Sequence, residues 1–209
     1  MEADRRIVLA TRSAGKLREL QGILSSAGLH GVTLDDLGIA ESPDESGIEI
    51  YDTFEQNALA KARYFHRLTG LPAMADDSGL SVNALGGAPG VWSKRYSGRE
   101  DLSGQDLDDA NNAKLLDALR EKGDRSASYA CAAAFVDEDQ EHVAMGRTHG
   151  RVIDDPRGSN GFGYDPYFFS DELGMTFGEA SIEAKEEVSH RGRAFRALVD
   201  ALRQSGRTL

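Results

Sequence analysis

Ile7-Val8-Leu9-Ala10-Thr11-Arg12-Ser13-Ala14-Gly15-Lys16-Leu17 passes from four apolar residues through a short polar turn into a helical pattern, and this strand-to-helix junction decides the class of the fold. The periodicity predicts a strand over 7–10 and a helix over 17–27, with Leu17, Leu20, Ile23 and Leu24 on one face. That is an α/β opening. The first N–H groups of a helix have no intrahelical partner and carry partial positive charge, Gly15 permits close backbone approach, and Lys16 adds a formal charge. The turn therefore reads as a cradle for an anion, phosphate first among them. It is not the P-loop of NTPases, which needs a glycine five residues before the Gly-Lys pair and Ser or Thr after it, where this chain has Ala10 and Leu17. On this segment alone, a solvated turn with a surface lysine is an equal alternative.

Strand and helix patterns alternate along the rest of the chain. Residues 42–51, with Pro43, Gly47 and three carboxylates, read as an irregular acidic loop. Thr53 and Gln56 have capping-box spacing before a helix carrying Phe54, Ala58, Ala62 and Phe65. A short buried strand is predicted over 71–75, ending in Asp76-Asp77-Ser78-Gly79, where its carboxylates would stand at a strand's C-terminal end, the usual ligand side of an α/β sheet. A helix is predicted over 107–122, stopped by Gly123, followed by an antiparallel hairpin of 126–136 and 142–153. A Gly-rich stretch, 158–165, comes next, and Ser189 is placed to cap a last helix with Ala194, Phe195, Leu198, Val199 and Leu202 buried. There is no internal repeat.

The 209 residues carry a net charge of −11, and the pI is about 4.9. Such a balance speaks against binding a nucleic-acid polymer, which needs a broad basic face, but leaves room for a small anion met by a few converging cations. No apolar run approaches the length of a membrane span, and the charged residues 1–6 do not resemble a signal peptide. The expectation is a soluble cytoplasmic protein of one domain, 1–209. The single cysteine, Cys131, lies in an apolar run and is expected in the core.

Asp76 and Asp77 are consecutive on an extended segment, so their side chains point to opposite faces and one of them is expected to serve a site. A carboxylate so placed suits Mg²⁺, which takes one or two protein carboxylates, keeps several waters and bridges to phosphates. A turn whose aspartates cap backbone N–H groups is the competing reading. Asp44, Glu45 and Glu49 of the acidic loop are candidate further ligands or a solvated cluster. Phe162, between Gly161 and Gly163 in the stretch 158–165, is placed to stack on a base or to fill a tight turn. Lys185, His190 and Arg191 offer donors near a helix start.

Seven segments in order carry a resemblance: Leu9-Ala10-Thr11 with Lys16; Asn57-Ala58 before Lys61; Ala75-Asp76-Asp77-Ser78-Gly79-Leu80; Leu85-Gly86-Gly87-Ala88-Pro89-Gly90-Val91; Arg95-Tyr96-Ser97-Gly98; Gly161-Phe162-Gly163-Tyr164-Asp165-Pro166; and Ser189-His190-Arg191-Gly192. Nearly end to end, the chain resembles the inosine triphosphate pyrophosphatase family, whose members hydrolyse deaminated purine nucleoside triphosphates. The resemblance implies a mixed, elongated sheet split into two α/β lobes around a central nucleotide cleft, and a homodimer. It implies that Thr11, Arg12, Ser13, Ala14, Gly15 and Lys16 hold the triphosphate with Lys61 nearby. Asp77 would bind Mg²⁺ and act as the catalytic carboxylate beside Ser78. Phe162 would stack on the purine, with Gly163, Tyr164, Asp165, Lys185, His190 and Arg191 completing the base and sugar contacts.

The chain departs from the family pattern at Ser13, where an asparagine is usual, and at Gln56, where many members have glutamate. The family's metal-binding glutamate falls on Glu49 with no gap and on Glu45 if Gly47 is matched instead; Glu49 is favoured. The implied reaction is hydrolysis at the α-phosphorus of ITP, dITP, XTP or dXTP to monophosphate and pyrophosphate. The rivals are a pyrophosphatase for modified pyrimidine triphosphates, told apart by its base profile, and a non-catalytic nucleotide-binding module, told apart by pyrophosphate release.

Overall fold

The computed structural model describes residues 6–205, so most of the charged N-terminal segment lies outside the described residues. In chain order its elements are β1 (Ile7–Leu9), α1 (Ala14–Ser26), β2 (Gly31–Thr33), α2 (Phe54–Thr69), β3 (Ala73–Val82), α3 (Gly104–Leu119), β4 (Ser126–Val136), β5 (Glu141–Val152), β6 (Phe168–Ser170), β7 (Met175–Thr176), α4 (Ile182–Val188) and α5 (His190–Gln204). Seven strands form one sheet in the order β2-β1-β3-β4-β5-β6-β7. It is mixed. β1 runs parallel to β2 and to β3, with Val8 opposite Val32 and Ala73, whereas β6 is antiparallel to both β5 and β7.

The chain divides into two compact units, Met1–Asp77 with Cys131–Gly146 and Arg191–Leu209, and Ser78–Ala130 with Arg147–His190. In the first, alternation along the strands sorts residues onto two faces, both covered by helices. Ile7, Leu9, Met74, Cys131, Ala133 and Phe135 pack with α1 and α5, through Leu20, Ile23, Leu24, Phe195 and Leu198. Val8, Ala10, Ala73, Ala75, Ala132 and Ala134 pack with α2, through Ala58, Ala62 and Phe65. Each fully buried leucine or phenylalanine contributes about 1.5–3 kcal/mol. In the second unit Leu80, Val82, Leu115, Leu119, Tyr129, Phe168 and Phe177 form a separate core.

The sequence places most elements within a few residues, with informative corrections. Helix α1 begins at Ala14 rather than 17, because Ser13 caps it: its side chain accepts from the Lys16 N–H at 3.4 Å. Lys16 thus lies inside the first turn. The acidic loop contains an ordered 3-10 turn, Pro43–Gly47, closed by a full capping box of Ser42 and Glu45. Thr53 and Gln56 form only half of one: Thr53 accepts from the Gln56 N–H at 3.2 Å, but the glutamine side chain returns to the threonine hydroxyl instead of its backbone.

The largest correction concerns 71–79. No turn follows Ala75. One ten-residue strand, β3, runs through Asp76-Asp77-Ser78-Gly79, because Leu80 and Val82 are fully buried and draw the chain onward extended. The two aspartates therefore stand in mid-strand and not at a C-terminal end. Helix α3 starts and ends three residues before the prediction, and α4 goes unforeseen, with Ser189 falling between it and α5. The hairpin is within one residue of expectation, its turn held by Asp137 Oδ1 accepting from the Asp139 and Gln140 N–H groups, each at 2.9 Å.

Candidate active site

Alternation along β3 dictates what each aspartate meets. Asp76 shares a face with Met74, the face covered by α1 and α5; Asp77 shares the α2 face with Ala73 and Ala75. Asp76, fully buried, accordingly accepts from Lys16 Nζ of α1 at 3.1 Å and from Arg191 Nε of α5 at 3.1 Å. Arg191, also buried, spends a second donor on Glu19 of α1. Burial alone would push the Asp76 carboxyl up, but the charges of Lys16, Arg191 and Lys61 outweigh it and hold the group far below the usual carboxylate range. Asp76 is thus a permanent anion that keeps two cations in place. Cys131 lies on the same face, its Sγ 3.9 Å from Asp76 Oδ2, and burial raises its thiol well above the usual value, so it is a core residue and not a nucleophile.

Asp77 stands in the opposite situation. Its Oδ2 accepts from Asn57 Nδ2 of α2 at 2.9 Å. Burial pushes its carboxyl above the usual range, and Glu49 adds to that, against the pull of Lys16, Lys61 and the Asn57 hydrogen bond. Glu49 pairs with Lys61, and although burial opposes it, the charges of Lys61 and Lys16 hold Glu49 below its usual range. Lys61 in turn, despite burial that would lower it, is raised by Glu49, Asp76 and Asp77. Asn57 is the joint of this arrangement. It also accepts from the Tyr51 N–H at 2.9 Å and donates to the Tyr51 carbonyl at 3.1 Å, tying the segment that carries Glu49 to the helix that carries Lys61.

Glu45 is placed differently from Glu49. Arg12 grips it with two donors, at 3.1 and 2.7 Å, and uses two further N–H groups on the carbonyls of Ile39 and Ala40. Arg12, expected at the phosphates, is thereby engaged in fastening the loop that precedes the acidic turn. Thr11, Ser13, Ala14 and Gly15 form the β1–α1 junction, with Thr11 Oγ1 accepting from the Ser13 N–H at 3.2 Å. Among the described residues there is no cluster of three or more His, Cys, Asp or Glu suited to a metal. Asp77 and Glu49, whose charge adds to the burial that raises Asp77, nevertheless offer two carboxylates of the kind that a hard divalent cation takes while keeping most of its waters.

In the second unit the loop Gly161-Phe162-Gly163-Tyr164-Asp165 is held from several sides. Asp165 Oδ2 accepts from the Phe162 N–H at 2.8 Å and from Lys185 Nζ at 2.6 Å, and both members of that ion pair are buried. Gly161 has φ +77°, and a Cβ there would lie 2.0 Å from the same carboxylate oxygen, so only glycine allows Asp165 this close. Lys185 Nζ also sits 5.2 Å from the ring centres of both Phe162 and Phe177. Tyr164 donates its hydroxyl to the Ser93 carbonyl at 2.8 Å, and burial raises its pKa. His190 is buried and stacked on Tyr129, with ring centres 4.5 Å apart. Phe162 itself is only partly buried, as is Ser78.

Of the residues singled out from sequence, Lys16, Lys61, Glu49 and Asp77 come together in the first unit, to which Arg191 also belongs through Asp76, and Phe162, Gly163, Tyr164, Asp165, Lys185 and His190 belong to the second. Arg191, expected among the base contacts, pairs with Asp76 and Glu19. Glu19 and Asn57 had no role assigned from sequence, and Asp76 was weighed only beside Asp77. For Asn57 the available signal was its position one helical turn before Lys61.

The chain is similar to known proteins over nearly its whole length. A model of the Ham1 family matches residues 7–201. A dITP/XTP pyrophosphatase of Burkholderia pseudomallei is 49% identical over 204 residues, 96% of this chain and 94% of that protein. One from Geobacter sulfurreducens is 47% identical over 204 residues, covering 96% and 98%. Among solved structures, a HAM1 protein from Coxiella burnetii superposes with a TM-score of 0.81 at 35% identity, covering 96% of this chain and all of that one. With the match extending over nearly every strand and helix that builds the two sites, the chain belongs to the Ham1 family.

Proposed function

We propose that this protein is a nucleoside triphosphate pyrophosphatase that hydrolyses deaminated purine nucleotides, ITP and dITP, XTP and dXTP, to the monophosphate and pyrophosphate, and so clears them from the nucleotide pool. The observation that carries the reading is the division of labour at Asp76 and Asp77, in a chain nearly half identical to proteins named dITP/XTP pyrophosphatase. Asp76 fixes Lys16 and Arg191 as standing cations. Asp77, raised by burial, is suited to take a proton from the attacking water at the α-phosphorus. Lys16, Lys61 and the N–H groups at the start of α1 stabilise the charge that grows on the departing pyrophosphate. Asp77 and Glu49 would hold Mg²⁺, which when bound supplies charge neutralisation to the phosphates. Homodimerisation, a cytoplasmic location and Mg²⁺ as the particular ion belong to the same proposal.

The purine would stack on Phe162. Hypoxanthine and xanthine present an oxygen at position 6 where adenine presents an amino group. Donors such as His190 and backbone N–H groups satisfy the oxygen, whereas adenine sets donor against donor, a mismatch worth roughly 10⁴-fold. A panel of ITP, dITP, XTP, dXTP, ATP and GTP assayed for pyrophosphate release, with Mg²⁺ and with EDTA, tests the proposal. Release from the 6-oxo deaminated purines that stops in EDTA is expected. ATP turned over as fast as ITP would overturn it.

A further inference from the structure

Helix α3 carries Asp108, Asn112, Leu115 and Leu119 at spacings of four, three and four, so all four lie on one stripe. Leu115 and Leu119 are fully buried in the core of the second unit. The stripe then continues as two polar residues, and both end on the same glycine: Asp108 Oδ2 accepts from the Gly163 N–H at 2.8 Å, and Asn112 Nδ2 donates to the Gly163 carbonyl at 3.0 Å. Gly163 has φ +63°, a conformation that favours glycine, and it follows Phe162 directly. Asp165 accepts from the Phe162 N–H and donates its own N–H to the Phe162 carbonyl at 3.3 Å, so four consecutive polar groups of the loop's backbone are fixed.

We propose that Asp108 and Asn112 are positioning residues that clamp Gly163 and so set the orientation in which Phe162 presents its ring to the purine. The proposal rests on reading Phe162 as the base-stacking residue. Neither α3 side chain is needed to make the helix, since Asn and Asp are poor helix formers in mid-helix. Burial pushes Asp108 above the usual carboxylate range even though the Gly163 hydrogen bond opposes it, so the fold tolerates a costly group at this place. A preset ring avoids an ordering cost on binding, so loosening the clamp is felt in substrate capture before it is felt in the phosphate chemistry.

The test is steady-state kinetics with ITP for Asp108→Ala, Asn112→Ala, Asp108→Asn, Phe162→Ala and the double variant Asp108→Ala/Phe162→Ala. Each alanine variant of the clamp is expected to raise KM about tenfold, the loss of one strong hydrogen bond, with kcat within about twofold. Asp108→Asn keeps an acceptor for the Gly163 N–H and should bring KM back to within about threefold of wild type. Inhibition by inorganic tripolyphosphate, which has no base, should be unchanged in all of them. In the Phe162→Ala background, adding Asp108→Ala should change KM by less than about twofold, since the ring it positions is gone.

If Phe162→Ala raises KM while both clamp variants leave it unchanged, the proposal is wrong. It is equally wrong if the Asp108→Ala effect persists in full without Phe162. Should Phe162→Ala itself leave KM unaltered, the stacking reading fails and the clamp proposal falls with it. Asn112→Ala carries the same test if Asp108→Ala does not fold.

Discussion

Replacing Arg191 by alanine removes one of the two cations that flank Asp76 and the partner of Glu19, inside a core where Asp76 is fully buried and Arg191 nearly so. Breaking a buried ion pair by deleting one member costs about 3–5 kcal/mol, because the remaining charge stays desolvated. Asp76 keeps Lys16 at 3.1 Å, and Glu19 lies closer to solvent, so the low end applies, about 3 kcal/mol. For a domain of this size that is a fall of about 6–12 °C in Tm, measured by calorimetry at neutral pH. The acid limb should move as well. Asp76 is held below its unfolded pKa, so its contribution is present at neutral pH and lost as pH falls through the folded value. Without Arg191 that folded value rises, and the loss begins at higher pH. Arg191→Lys should be intermediate, since one ammonium cannot span Asp76 and Glu19 as the guanidinium fork does. A Tm within about 2 °C of wild type for Arg191→Ala would refute the reasoning, because it would mean that Lys16 alone satisfies Asp76.

Two further outcomes follow from the same geometry. Asn57→Ala removes the donor to Asp77 and both bonds to Tyr51, and should lower kcat for ITP by tenfold or more while destabilising the fold by about 2 kcal/mol, read by urea denaturation; Asn57→Asp, which also loses the donor and adds a charge beside Asp77, should be no better. Arg12 holds Glu45 below its ordinary pKa mainly through their hydrogen bonds, so the pair stabilises above the unfolded glutamate value and its contribution fades as pH falls through the lower folded one. Being partly exposed, it is worth about 1 kcal/mol after screening, and Arg12→Ala should flatten that part of the stability-against-pH curve.

Much of the α/β fold was legible because buried strands and amphipathic helices write their periods directly into the chain. Strand β1, helices α1 and α2, the β4–β5 hairpin and the apolar stripe of α5 all follow from period alone. What period could not settle was β3. Two aspartates, a serine and a glycine look like a turn, and only tertiary partners, Lys16 and Arg191 on one face and Asn57 on the other, make it favourable for charged residues to continue as a buried strand. The short strand β7 and the seven-residue α4 carry too few residues for a period to register. Within the site, Lys16, Asp77 and Phe162 could be singled out because their residue types suit phosphate, metal and base. Asp108 and Asn112 could not, because an amide or carboxylate that holds a backbone group looks like any other polar residue until the backbone it holds is known, and Asn57 offered only its place one turn before Lys61.

The central claim is that neighbouring aspartates on β3 do different work, Asp76 as a fixed counterion and Asp77 as the group that meets the attacking water. It is tested most directly by Asp77→Asn, assayed for pyrophosphate release from ITP with Mg²⁺ and, in parallel, for ITP binding by calorimetry. The account predicts that turnover falls by about 10²–10⁴-fold while ITP binding stays measurable. Turnover close to wild type in that variant would contradict it.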